Sequence, residues 1–282
     1  MALGGLEFRP VTLRDVPALC EVHRGSGGPY PDPVECPIWV NHSLLNGRLC
    51  FVAQEGGQIV GHAEWTLGYE PGQSRRHLYL GMLQVREEYR GRGIGRGLIE
   101  HGVSIARSNG CDRLKTVPES EATDFYLKCG FCKTSDLATY RHAVSQDPTV
   151  SSNWVRQRGV PERAIRTLPL RIGLMQACTR HMWELANRPF VVVGSEWHHP
   201  CLVRTDGKAY VQLRYRNTNQ AYVLAWGSDE VSLGELCAAS WHLGSQRGIG
   251  ELYFVVRSDS VGSAFGDSEL EAMDVVVERV LA

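Results

Sequence analysis

From Arg86 to Arg96 the chain reads REEYRGRGIGR, with arginines at 86, 90, 92 and 96 and glycines at 91, 93 and 95. Glycine lets backbone N–H groups come close to an anion, and arginine offsets the anion's charge. Arg90, Gly91, Arg92, Gly93, Ile94, Gly95 and Arg96 are therefore candidate phosphate ligands. A P-loop is excluded, because the stretch has no Gly-Lys pair. A dinucleotide fingerprint fails in both registers: Arg96 stands at the third position after Gly91-x-Gly93, and Leu98 after Gly93-x-Gly95. Arginine–glycine RNA-binding tracts sit in low-complexity chain, whereas this one lies between two patterned apolar segments.

Those segments are the elements that must position the loop. Leu78, Leu80 and Met82 fall on one face of an extended chain and Tyr79, Leu83 and Val85 on the other, which predicts a strand buried inside a sheet. Beyond the loop, Leu98, Gly102 and Ile105 lie beside Ile99, Val103 and Ala106 at helical spacing. A strand thus delivers a loop without side chains onto a helix N-terminus, whose unbonded N–H groups attract an anion.

The strand ending Leu83-Gln84-Val85, the loop Arg90-x-x-Gly93-x-Gly95 and the helix from Gly95 closely resemble the acetyl-CoA pyrophosphate loop of the GNAT superfamily of acyl-CoA-dependent N-acyltransferases. Ala122-x-x-x-Tyr126-x-x-x-Gly130-Phe131 resembles the second GNAT signature, in which the tyrosine protonates the departing CoA thiolate. A phenol with a pKa near 10 is protonated at neutral pH and can do so. The resemblance implies acetyl-CoA as co-substrate, held at the loop and along the backbone of Leu83, Gln84 and Val85, and direct attack by a primary amine. It departs from the family at Glu119, where many members have asparagine, so no pantetheine contact is assigned there. Tyr79 stands where some relatives carry a glutamate base, and a tyrosine suits that task poorly. Glu64, on the preceding strand with His62 and Thr66 on its face, is the first candidate base, and His77 the second.

Residues 5–145 predict a strand from Glu7 to Val11, a helix capped by Asp15, a helix around Trp39 to Leu45 and a hairpin of Leu49–Gln54 with Gln58–Leu67. The central strand and long helix follow, then a strand at Leu114–Val117, a helix at Ala122–Cys129 and a strand at Thr134–Val144. This is the GNAT order.

The full chain of 282 residues suggests two domains, and a net charge of −1 argues against general affinity for nucleic acid or anionic membrane. No signal-type leader or membrane-length apolar run is read, and nine scattered cysteines fit a reducing cytoplasm. Cys129 and Cys132 form a lone CxxC, and His198, His199 and Cys201 are adjacent on a strand start; neither has metal-ligand spacing, so no metal is expected.

Residues 146–160 read as a linker, after which the chain repeats itself. Phe8–Arg14 aligns with Ile165–Arg171, Cys50–Gly56 with Cys201–Gly207, Tyr79-Leu80 with Tyr222-Val223, and Gly110 with Leu114–Val117 aligns with Gly248 and Leu252–Val255. The expected fold class is thus α/β (α+β): two tandem GNAT-like domains, 1–145 catalytic and 161–282 degenerate, each a mixed, mostly antiparallel sheet flanked by helices. A helix from Ser268 to Leu281 would close the second copy, leaving it without its last strand or two unless a neighbour supplies them; a homodimer is compatible with that. In place of the loop the second copy has Gly227 to Ser232 with Asp229 and Glu230, a turn that repels phosphate. The acceptor is expected to be a small molecule or peptide amine. Two rival readings are a regulatory acyl-CoA-binding module and an acyltransferase that uses a hydroxyl acceptor or a longer acyl group.

Overall fold

The computed structural model describes residues 5–26, 28, 31–45, 47–71, 76–144, 152–176, 178–186, 200–260, 263–265 and 267–281. His198 and His199, and the first part of the expected linker, lie outside them. The first half runs β1 (Leu6–Pro10), α1 (Val16–Ser26), α2 (Glu35–Leu45), β2 (Leu49–Glu55), β3 (Gln58–Gly68), β4 (Arg76–Val85), α3 (Ile94–Ser108), β5 (Cys111–Thr116), α4 (Thr123–Lys128) and β6 (Cys132–Ala143). The second half runs β7 (Trp154–Gln157), α5 (Glu162–Ile165), β8 (Leu170–Ile172), α6 (Thr179–Ala186), β9 (Cys201–Arg204), β10 (Ala209–Tyr215), β11 (Gln220–Gly227), α7 (Leu233–Gln246), β12 (Glu251–Arg257) and β13 (Glu269–Val280). No described helix is long and apolar enough to cross a membrane.

The strands form one continuous sheet in the order β1-β2-β3-β4-β5-β13-β6-β12-β11-β10-β9-β7, with β8 pairing β11. The halves are joined by exchange. β13, the last strand of the chain, lies antiparallel between β5 and β6, and β6 lies antiparallel between β13 and β12. The neighbour that completes the second half is therefore the first half. Residues 268–281, expected as a helix, are mostly β13. Consecutive Val275, Val276 and Val277 favour extended chain, and the open edges of β5 and β6 supply ladder partners that local propensity does not register. The strand that matches β1 in the second half is β7, which pairs β9 as β1 pairs β2. The segment aligned by sequence with Phe8–Arg14, Ile165–Arg171, instead runs from the end of α5 into β8, which lies elsewhere in the sheet.

One face of the first half is the apolar floor for α3, where Ala63, Trp65, Leu78 and Leu80 meet Leu98, Ile99 and Val103. Gly102 is glycine because a Cβ there would lie 2.3 Å from the Trp65 ring. The opposite face carries α1 and α2. β4 does not keep the simple alternation that its sequence suggests. Its register to β3 shifts between Leu80 and Met82, leaving Gly81 as a bulge. One extra residue turns every later side chain over. Leu83 and Val85 therefore join Leu78 and Leu80 on the α3 face, while Met82 crosses to the α1 face.

α1 is set by a capping arrangement at its approach. The carboxylate of Asp15 accepts from the Thr12 N–H at 2.8 Å and takes two bonds from Arg9 of β1, at 2.8 and 2.9 Å. These bonds, Arg9 first, outweigh burial and hold the Asp15 carboxyl at a pKa of about 2. A carboxyl lowered on folding stabilises the fold above its unfolded pKa, and that contribution fades as pH falls from about 4 to 2. Asp15→Asn should cost about 2 kcal/mol at pH 7, with the gap to the unaltered chain closing by pH 2–3, measured by urea unfolding across pH.

Candidate active site

The loop that follows β4 reaches α3 through two left-handed glycines, Gly91 at φ 75° and Gly93 at φ 85°, the latter serving as the N-cap of α3. Only glycine takes that conformation without strain, and it turns the first N–H groups of α3 outward. An open cleft of about 710 Å³ borders Gly91, Arg92, Gly93 and Arg96, so the loop backbone is accessible. Its arginines are anchored from behind. Arg90 Nε donates to the Val85 carbonyl at 3.3 Å, Arg92 pairs with Glu55 at 2.8 Å and lies over the Tyr89 ring, and Arg96 donates to the Lys128 carbonyl at 2.9 Å. The last contact ties the start of α3 to the end of α4.

β4 is unequal along its two edges. It pairs β3 from Gly68↔His77 to Gly61↔Val85, but its parallel pairing with β5 stops at Tyr79↔Lys115. Beyond that point Thr116 Oγ1 donates to the Leu80 carbonyl at 2.9 Å. The sheet has parted, so Leu83, Gln84 and Val85 lie beyond the last pairing with β5. The edge runs directly into the N-terminus of α3.

α4 brings Tyr126 to the same end. Its neighbour Phe125 packs on Gly95, where a Cβ would be 3.2 Å from the ring. Tyr126 sits edge-on to Phe125 and Phe131 and is 7% exposed. Burial, helped by Cys129 and Glu119, pushes its phenol well above the ordinary range, so it is a proton donor at neutral pH. Cys129 and Cys132 are both free thiols, and burial raises the Cys129 thiol, which leaves it inert as a nucleophile.

The opposite face of β3 carries a buried polar seam. Glu64 is 2% exposed, and its carboxylate lies 3.2 Å from Arg48, which reaches Glu184 of α6 at the same distance. Arg180 closes the chain on Glu184 at 2.9 Å. His62 Nε2 is 3.8 Å from Glu64, and His62 Nδ1 is 3.0 Å from Nε2 of His23 on α1. Burial keeps both imidazoles neutral, with His23 near a pKa of about 3. Thr66 lies 3.0 Å from Nδ1 of His181 on α6, whose ring covers the Gly81 bulge so closely that a Cβ there would be 2.6 Å away. His77 is not brought to this group. It lies at the far end of β4, opposite Gly68 and Arg113, and burial with Lys115 and Arg113 lowers it to about 3, a weak base. Arg48, His181, Glu184, His23 and Gly81 were not legible as site residues. The available signal was the i, i+3 spacing of His181 and Glu184 opposite Met182, on a helix whose polar side faces protein.

The second half repeats the parting and then fills it. β11 and β12 stop pairing at Tyr222↔Tyr253, at the tyrosine that aligns with Tyr79. Into the gap goes β8: Leu170 and Ile172 pair Trp226 and Ala225 of β11, and the Gly173 N–H bonds the Val255 carbonyl of β12 at 2.8 Å. At the start of α7, Ser232 caps the Glu235 N–H, Lys208 pairs with Glu230, and Arg171 donates to the Ser228 carbonyl. The polar groups that the first half leaves open are thus bonded within the chain in the second.

A sheet that parts beside a glycine-built helix N-terminus, followed by a helix bearing a tyrosine, defines the acetyltransferase fold. Residues 18–131 match the sequence model of the acetyltransferase (GNAT) family. Rat (Rattus norvegicus) N-acetyltransferase family 8 member 2 is 33% identical over 99 residues, 34% of this chain and 44% of that protein, so the match spans under half the relative's length. Among solved structures, a GCN5-related N-acetyltransferase from Kribbella flavida has a TM-score of 0.68 at 15% identity, covering 98% of this chain and 71% of that one. A tandem GNAT protein from the clavulanic acid biosynthesis pathway has a TM-score of 0.59 at 18% identity, covering 98% of both chains. The likeness to these two structures is one of fold.

Proposed function

We propose that the first half transfers an acetyl group from acetyl-CoA to the primary amine of a small molecule or peptide by direct attack. The observation that carries this reading is the open edge of β4, running from Tyr79 past the Gly81 bulge into the N-terminus of α3. The loop from Arg90 to Arg96 would take the pyrophosphate, and the backbone of Leu83, Gln84 and Val85 the pantetheine arm. The amine nitrogen attacks the thioester carbonyl carbon; the C–N bond forms and the C–S bond breaks. The leaving thiolate takes the phenol proton of Tyr126, and the proton shed by the amine goes to Glu64. An N–H of the open edge stabilises the developing oxyanion.

One observation favours a second reading, a module that binds acyl-CoA without turnover: Glu64 is already engaged by Arg48 in a buried ion chain. Two variants separate the readings. Tyr126→Phe should lower acetyl transfer by roughly 10²–10⁴ while leaving acetyl-CoA affinity nearly intact. Unchanged turnover would remove Tyr126 from the mechanism. Glu64→Gln should lower the rate, with recovery as pH approaches the amine's own pKa. A profile of unchanged shape would mean that no proton passes through Glu64.

Calorimetric titration of the whole chain should give one acetyl-CoA site, because β8 occupies the second gap. Gly93→Val should abolish it, since a β-branched residue cannot hold φ 85° or leave the backbone approachable. Two sites, or binding that survives Gly93→Val, would assign the cofactor to the wrong half.

A further inference from the structure

Beside the end of β3, apart from the parted sheet, three metal-binding side chains converge from separate elements. Glu70 follows β3, His77 begins β4, and Cys178 immediately precedes α6. One ligand atom from each lies within 4.8 Å of the other two. His77 is 2% exposed and Cys178 wholly buried, yet His77 Nε2 has no hydrogen-bond partner among the described residues. Its nearest carboxylate oxygen, Glu70 Oε1, is 3.9 Å away. That is too far for a hydrogen bond and close to the ~3.3–3.8 Å that separates two donors on one tetrahedral ion. Gly68 leaves the space open: a Cβ there would stand 2.2 Å from His77 Nε2 and 2.8 Å from Cys178 Sγ.

We propose that Glu70, His77 and Cys178 form a site for a divalent transition metal of zinc type, which fastens α6 to the first half. A thiolate, an imidazole and a carboxylate favour zinc over magnesium or calcium, and a solvent molecule would complete four ligands. Glu70 is already oriented for the task, its Oε2 accepting from Thr179 Oγ1 at 2.6 Å and its Oε1 from the Thr179 N–H at 3.2 Å. A cavity of about 510 Å³ lined by Glu70, Arg113 and Lys115 gives a way in. The two of its cations that stand nearest His77 in the sheet are held by carboxylates, Arg113 by Asp112 and Glu278 and Lys115 by Glu278. On binding, Cys178 gives up its thiol proton to solvent, so one proton leaves as the metal–sulfur bond forms. The inference does not depend on the transferase reading, and its test uses no activity.

Whole chain, stripped of metal by chelator and dialysed, is titrated with Zn²⁺ against a chromogenic chelator and, separately, with Co²⁺. One zinc per chain is expected, and the cobalt form should show a thiolate charge-transfer band with the strong visible bands of four-coordination. Cys178→Ser, nearly isosteric, should abolish the thiolate band, and His77→Ala should weaken zinc at least ~100-fold. Cys132→Ser, which alters an exposed thiol, should change neither. Sub-stoichiometric zinc in the unaltered chain, or a thiolate band that persists in Cys178→Ser, overturns the site. If a variant unfolds, as judged by circular dichroism, stoichiometry and the thiolate band of the unaltered chain decide alone.

Discussion

Two parallel strands that diverge leave rows of amide and carbonyl groups facing each other with nothing between them. Buried backbone of that kind must be bonded by something, because leaving it unpaired costs about as much as a lost hydrogen bond. The architecture here can be read as two answers to that one demand. Between β11 and β12 the chain answers with its own β8, and the region becomes ordinary core. Between β4 and β5 no strand among the described residues answers beyond Tyr79, toward the loop at α3. The bulge at Gly81 belongs to the same solution, since it re-aims the strand where the pairing ends.

The open gap is bordered by a second constraint. α6 packs its Met182 and Ala186 into the core of the second half and turns His181 toward Thr66 of β3 and Glu184 toward Arg48, both in the first. Those contacts bury charge. Arg48 is flanked by two carboxylates with hardly any solvent to share, a setting in which a matched set is tolerable but losing one member costs about 3–5 kcal/mol. Position on this face is therefore fixed more tightly than apolar packing alone would fix it, and the second half has a share in that fixing although its own gap is closed.

What the sequence made legible was local. The alternating glycines, the apolar strand before them and the amphipathic α3 each state their structure within a few residues, and α4 meets the start of α3 through Phe125 and the Lys128 carbonyl. Tyr79 and Tyr222, which align across the repeat, are each the last residue before its sheet parts. What failed was non-local. Gly81 gives no sign in sequence of being a bulge, and missing it put Met82, Leu83 and Val85 on the wrong faces. β13 reads as a helix because its partners, β5 and β6, are over a hundred positions away and only their open edges make a strand of it. The polar seam was missed for a similar reason: Glu64 was visible, but Arg48, His181 and Glu184 acquire meaning only when α6 lies on β3.

The exchange of β6 and β13 has a consequence for how such a chain can change over generations. A duplicated gene normally leaves each copy free to be lost, transplanted or shuffled as a cassette. Here each copy ends inside the other, so a cut between them would strip both of a central strand and bare two apolar ladders at once. The second half fills its own gap with β8 and still supplies the first half with β13. Neither half is a separable cassette, because the sheet of each runs through a strand that belongs to the other.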